Sequence, residues 1–477
     1  MQWSTEQQAV FDFVRDGRAH GVVEAYAGTG KTTTIVAALE HVKGRALFVA
    51  FNKSIATTLQ SKVPANVDAM TLHSLGLKAI TRAHGRRAVD ARATQERVRA
   101  LWPTAEYETR TAVCKLIAAA KASLAGPDEL EALAYSVDLG VDADETADVV
   151  ACAEQALRAA LESKTGPIDF DDMVWLPAEL DLPVGAYDFV FVDETQDLNP
   201  AQLCLVRRAC KAGGRIMAIG DRHQSIYGFR GADSEAIPRM IAELDATVLP
   251  LSTTYRCPRA VVREANATVP ALCAAPEAPE GTVRRAQRAE LESSAAPGDF
   301  VLSRTNAPLV SLCYAWLSAG VAARIQGRDI GASLTAWFKR HCRSGASAPD
   351  AIERIRKWEN SECAKLERDE RPTDAITDKA DCLRALLEGC DTVAECVAKC
   401  ARLFADSAPG AAIILSSTHR AKGLEADRVW VLRDTYCQQR RDCNGNVIPV
   451  SQEERNLLYV AQTRAMRELV YVNFKES

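Results

Sequence analysis

The sequence lacks a C-x-x-C pair, an internal repeat and a low-complexity tail. It also lacks an apolar run approaching the roughly 20 residues that a membrane-spanning helix needs. Its start, MQWSTEQQ, has no basic stretch leading into an apolar core, so the expectation is a protein that is not secreted, sits in no membrane, and works in the cytoplasm or beside the nucleoid. Without an export signal, the 15 cysteines are expected to stay reduced. The densest group is Cys382, Cys390, Cys396 and Cys400, with Cys363 upstream. No histidine lies between Cys363 and Cys400, which favours small buried thiols on helices over a zinc or iron–sulfur site. Excess positive charge is missing too. A net charge of −5 excludes coating nucleic acid by bulk charge and leaves open only a local basic groove.

What is present is the composition of an ordinary globular protein, 47% apolar and 25% charged, in a chain of 477 residues that exceeds one typical hydrophobic core. Two or more domains are therefore expected. The segment with the most chemistry is VVEAYAGTGKTTT, Val22 to Thr34. An apolar run ends in a turn, Ala27-Gly28-Thr29-Gly30, followed by Lys31, Thr32, Thr33 and a helix-compatible stretch. Gly28 and Gly30 let backbone N–H groups approach phosphate oxygens, and a helix starting near Lys31 adds its positive dipole end. Lys31 is suited to the β- and γ-phosphates and Thr32 to Mg²⁺. Ala25 stands where the strict phosphate-loop pattern has its first glycine, and a β–α connection without a ligand is the minor alternative for the turn taken alone.

A second stretch, YDFVFVDETQD, is an apolar strand delivering adjacent carboxylates. Asp193 is suited to hold the metal ion and Glu194 to take a proton from the water that attacks the γ-phosphate. Further along, the strand Gly213 to Asp221 ends beside Gln224, placed to sense that phosphate. Tyr227, Phe229 and Arg230 follow, an aromatic and basic group that can stack a base. Gln7 precedes the first strand, and its amide has the donor and acceptor to pair with an adenine edge.

Two other strand-like segments, Arg45 to Phe51 and Met70 to Ser74, end in polar groups. Phe51, Asn52, Lys53 and His73 are there candidates for stacking a base and holding phosphates. The cluster Asp169, Asp171 and Asp172 reads as a helix cap with an acidic first turn rather than a metal site. Long amphipathic stretches from about 76 to 164, and cysteine-bearing helical patterns from 331 to 405, read as insertions into two sheet domains. The expected division is 1–75 with 165–250, and 251–330 with 406–477. Arg464 follows the apolar residues Leu457, Leu458 and Val460 in a helical pattern; it can serve as an internal salt-bridge partner or as a guanidinium aimed at a γ-phosphate.

Together the segments TEQQ, AYAGTGKTT, FVAFNKS, TLHS, DFDDM, VDETQD, GDRHQSIYGFRGA, TTYR, STHRAKGLE and LLYVAQTRA resemble, in order, superfamily 1 DNA helicases of the UvrD/Rep type. The wording is most similar to the F-box DNA helicase branch, although no F-box is apparent. The resemblance implies an α/β fold of two RecA-like parallel-sheet motor domains, each interrupted by a mainly helical insertion, with ATP in the cleft between them. It assigns adenine to Gln7 and Tyr255; phosphate and Mg²⁺ to Gly30, Lys31, Thr32 and Asp193; and water activation to Glu194. Gln224, Arg256 and Arg464 are assigned to the γ-phosphate, Glu425 to the ribose, and Gly423 lies in the same nucleotide-binding segment. Single-stranded DNA is expected over Phe51, His73, Phe229, Thr418 and His419. Thr33 replaces an arginine that some relatives place beside the base. The implied activity is an ATP-dependent helicase or translocase moving 3′ to 5′ on single strands, with tailed duplexes or junctions as substrates. The rival readings are a DNA-dependent ATPase that strips proteins or powers a partner, and a nucleotide-gated scaffold.

Overall fold

The computed structural model describes residues 3–137, 139–141, 143–226, 236–343, 345–368, 373–404, 412–436, 440–441, 447–448 and 450–474. They form two compact units, Met1–Ser252 and Thr253–Ser477.

The first unit is built on six parallel strands: β1 (Gly21–Ala25), β2 (Ala46–Val49), β3 (Val67–Met70), β4 (Tyr187–Val192), β5 (Cys210–Gly220) and β6 (Thr247–Leu251), in the order β3-β2-β4-β5-β1-β6. Short, almost continuously apolar strands such as ALFV and YDFVFV are what a sheet covered on both faces requires. Alternation sorts them: Val22, Leu47, Val190 and Val192 enter one core, while Val23, Phe48, Phe189 and Phe191 enter the core on the other face. Between β3 and β4 the chain is helical, including Leu72–His84, Tyr107–Ser123, Ala143–Glu162 and Phe170–Glu179.

These helices are pinned to one another by buried charge as well as apolar contact. Lys121, 1% exposed in its side chain, lies 2.8 Å from Asp172 and 3.1 Å from Asp169. Asp169 also caps the helix Phe170–Glu179 by accepting from the Asp172 N–H. Burial works against the Asp169 carboxylate, but Lys121 and Thr94 outweigh it and hold it below the usual range. The aspartate cluster is thus a helix cap bound to a lysine.

The second unit begins with two very short strands, β7 (Thr253–Thr254) and β8 (Cys273–Ala274), which pair with each other. Its main sheet comprises β9 (Thr282–Gln287), β10 (Phe300–Ser303), β11 (Ala323–Ile325), β12 (Ile413–Ser417), β13 (Ala426–Leu432) and β16 (Ala465–Asn473). The order is β11-β12-β10-β13-β16-β9, again all parallel. A small antiparallel pair, β14 (Arg440–Arg441) and β15 (Val447–Ile448), stands apart.

Helices between β11 and β12 share a single core with this sheet. Trp337, Phe338, Leu383, Leu386, Cys396 and Cys400 pack in the same cluster as Val301, Leu415, Trp430 and Val470. Asp378 adds a polar tie, accepting from the N–H groups of Asn306 and Ala307 at 2.8 and 3.1 Å and so capping the helix Ala307–Ser318. Burial pushes the Cys396 thiol up to about 12, as expected of a small apolar group. Among the described residues, no helix is long and apolar enough to cross a membrane and no three His, Cys, Asp or Glu side chains cluster to hold a metal.

Two expectations need correction. Met70 to Ser74 is not one extended segment: β3 stops at Met70, and Thr71 caps a helix starting at Leu72 by accepting from the Ser74 N–H. Arg464 lies just past the helix Gln452–Gln462, at its junction with β16.

Candidate nucleotide and DNA sites

In the first unit, strand direction brings the predicted residues to one edge. β1 ends at Ala25, whose methyl is buried in the core, so the missing first glycine of the loop costs no space. The chain then turns: the Tyr26 N–H donates to the Leu251 carbonyl at 3.1 Å and the Thr29 hydroxyl to the Tyr26 carbonyl at 2.9 Å. Gly28 and Gly30 adopt φ of 73° and 78°, a region where a side chain is strained. The helix Lys31–Leu39 starts there, with Thr32 and Thr33 exposed on its first turn.

Gln7 is buried against this loop. Its Nε2 donates to the Thr34 hydroxyl at 3.0 Å, its Oε1 accepts the Ser4 N–H at 3.0 Å, and Nε2 lies 3.6 Å from where a Cβ on Gly30 would stand. The amide thus packs against the phosphate loop, with one N–H and one lone pair beyond those spent on Thr34 and Ser4.

β4 delivers Asp193, 3% exposed, and Glu194. The Lys31 Nζ lies 3.6 Å from a Glu194 carboxylate oxygen. Glu194 has φ of 51°, the left-handed conformation that non-glycine residues adopt at a cost of about 1–3 kcal/mol and that gathers at functional sites. β5 delivers Asp221, which accepts from the Gln224 side chain at 2.7 Å and from the His223 N–H at 3.0 Å. Burial pushes the Asp221 carboxyl up, opposed first by the Lys31 charge. Lysine, carboxylates and glutamine thus gather at the ends of β1, β4 and β5.

Beyond them on the same edge, β2 and β3 carry the predicted DNA residues. Phe51 is 50% exposed, Lys53 is exposed, and Asn52 spends its side-chain oxygen capping the helix Lys53–Gln60. The His73 ring stands edge-on to Phe170, with centroids 6.4 Å apart; burial lowers its pKa, opposed by the Asp171 charge. Phe170 is itself 54% exposed, although it begins a helix. Sequence reading missed it because the three aspartates around it drew the attention; its signal was an aromatic inside an acidic cap. Tyr227, Phe229 and Arg230 lie outside the described residues.

The second unit arranges its candidates differently. Tyr255 is 53% exposed just after β7. Arg256 pairs with Glu425 at 2.5 Å, so the predicted ribose ligand is here the partner of a predicted phosphate ligand. Arg464 is 1% exposed and held on three oxygens: its guanidinium donates to the carbonyls of Val460 and Leu424 at 2.9 and 3.2 Å and to the Thr463 hydroxyl at 3.3 Å. Gly423 sits at φ of 85° with open space around its would-be Cβ. Glu425 and Arg464 directly precede β13 and β16, which pair as Ala426 with Ala465, and so mark the N-terminal edge of the sheet. Thr418 and His419 follow β12 at the opposite edge. Thr418 is fully buried with its hydroxyl between Tyr436 and the Ser303 carbonyl, so in this structure it positions its loop and presents no side chain to a strand. His419 is partly exposed.

A glycine turn between strand and helix on a parallel sheet, faced by strand-end carboxylates and followed by a second parallel-sheet unit, is the architecture of a RecA-like α/β protein. Residues 3–245 match the UvrD/REP helicase N-terminal domain and residues 399–476 the UvrD-like helicase C-terminal domain; the chain belongs to the UvrD/Rep helicase family. It is 26% identical to F-box DNA helicase protein 1 of Schizosaccharomyces pombe over 94% of this chain and 55% of that protein. It is 30% identical to ATP-dependent DNA helicase PcrA of Bacillus subtilis over 32% of this chain and 21% of that protein, and 30% identical to the Staphylococcus aureus PcrA over 22% and 16%. The chain therefore spans about half the length of the F-box relative, and much less of the PcrA proteins.

Proposed function

We propose that this chain is an ATP-hydrolysing motor that moves along single-stranded DNA and opens duplexes from a single-stranded tail. The observation that carries the reading is the approach of Lys31 to Glu194 within 3.6 Å beside buried Asp193, at the foot of a loop whose two glycines hold left-handed φ. That set fits a Mg²⁺–triphosphate ligand: Thr32 and Asp193 offer hard oxygen donors, and the loop is shaped where a Cβ would be strained. Bound there, the ion would neutralise phosphate charge. Lys31 is proposed to orient the phosphates and Glu194 to accept a proton from the attacking water. Gln224 is proposed to sense the γ-phosphate, and Arg256 and Arg464 to supply further positive charge. Gln7, Ala27, Thr29, Thr33, Tyr255, Gly423 and Glu425 complete the proposed nucleotide contacts.

DNA is proposed to lie over Phe51, Lys53, His73 and His419. Aromatic stacking suits a motor because it accepts any base, at about 1–3 kcal/mol each. The 3′-to-5′ direction follows from the family resemblance. Duplexes with a 3′ tail, a 5′ tail or none test the reading. Release of the paired strand from the 3′-tailed substrate alone, requiring hydrolysable ATP, is expected. Release from neither tail, with DNA-stimulated ATPase intact, would replace unwinding by translocation that displaces bound proteins or drives a partner.

A further inference from the structure

We infer that Gln196 is a positioning residue that fixes Glu194 and ties it to the strand end bearing Gln224. This rests on the catalytic reading above and deepens it. The parallel ladder between β4 and β5 ends at the pair Val192–Ala218, where the chain turns away after Asp193. Beyond that point two buried side chains continue the ladder in place of backbone. The Thr195 hydroxyl accepts the Ile219 N–H at 3.2 Å, and the Gln196 Oε1 accepts the Asp221 N–H at 3.0 Å. Those two N–H groups, two residues apart, point the same way from β5.

The other half of the Gln196 amide is also engaged. Its Nε2 donates to a Glu194 carboxylate oxygen at 2.5 Å, so one side chain, 1% exposed, joins the proposed base to the backbone of β5. The space is made for it: a Cβ on Gly220 would stand 2.3 Å from Oε1. A strained Glu194 at φ of 51° needs such a restraint, and misplacement of a reacting group by about 1 Å can cost 10²-fold in rate. Because Asp221 also holds Gln224, a shift of that loop moves Gln196 and hence the carboxylate.

The test is steady-state ATPase of the full chain with oligothymidine, for wild type, Gln196→Ala, Gln196→Glu and each combined with Glu194→Ala. Gln196→Glu keeps an acceptor for the Asp221 N–H but replaces the donor to Glu194, separating positioning from mere support of the turn. Both single variants are expected to lower kcat by about 10- to 100-fold with KM for ATP within about twofold. In the Glu194→Ala background the same changes should alter the residual rate by less than about twofold, because their effect passes through that carboxylate. Equal fold-losses in both backgrounds, or a loss confined to KM, would overturn the proposal alone. A wild type without DNA-stimulated ATPase would overturn the motor reading and this proposal with it.

Discussion

The two units share a parallel six-stranded sheet but use opposite edges for the residues assigned to nucleotide. In the first, Lys31, Asp193, Glu194 and Gln224 all follow C-terminal strand ends, and the groups face one another: Lys31 to Glu194, and the Gln224 amide to the buried Asp221. In the second, Glu425 and Arg464 precede their strands, and the arginines are already seated, Arg256 on a carboxylate and Arg464 on three uncharged oxygens. In the first unit the groups proposed for catalysis thus lie within reach of one another and bias each other's charge. In the second unit the proposed cations are held in place by protein oxygens, the preorganised state that electrostatic stabilisation would call for.

The largest expected effect probes the second arrangement. Replacing Arg464 by alanine is expected to lower DNA-stimulated kcat by about 10³- to 10⁵-fold, the range for a guanidinium acting on transition-state charge. Arg464→Lys should recover little, since a point charge cannot reproduce a three-acceptor fork. An Arg464→Ala protein that is folded and hydrolyses ATP at the wild-type rate would reduce the residue to a structural link between the segments before β13 and β16. A smaller effect separates the two ends of the first sheet edge. Phe51→Ala should weaken binding of labelled oligothymidine, measured by fluorescence anisotropy, by about 1–3 kcal/mol while kcat at saturating DNA stays near wild type. Unchanged affinity would detach β2 from the proposed DNA path.

The proposed phosphate site was more legible in the sequence than the proposed cations of the second unit, for a physical reason. Glycines at positive φ, a lysine opening a helix and two carboxylates closing an apolar strand each leave a local signature, and local spacing suffices to read them. Glu425 pairs with Arg256 far upstream, and one of the three acceptors of Arg464, Leu424, lies 40 residues away in the chain, contacts that spacing does not reveal.

Parallel-sheet direction misleads in the same way. The residues assigned to nucleotide in the first unit follow C-terminal strand ends, whereas Glu425 and Arg464, assigned by resemblance, precede their strands. The edge strand β9, TVRRAQ, with only Ala286 buried, has no apolar pattern, while the central β13 and β16 carry near-continuous apolar runs. Thr418 is expected along the DNA path from the resemblance, but its side chain is buried, with the hydroxyl bonded to Tyr436 and the Ser303 carbonyl. Gln196 carries no local signal in DETQD, and only the folded turn brings its two amide atoms to Glu194 and to the Asp221 N–H.

The central claim is that the loop and carboxylates of the first unit hydrolyse ATP in response to DNA. Its most direct measurement is phosphate release by the full chain with and without single-stranded DNA, for wild type beside Lys31→Ala. Wild type should be stimulated by the strand, and Lys31→Ala should lose at least about 10²-fold of that rate through loss of phosphate charge stabilisation. Equal rates for the two proteins, stimulated or not, would contradict it.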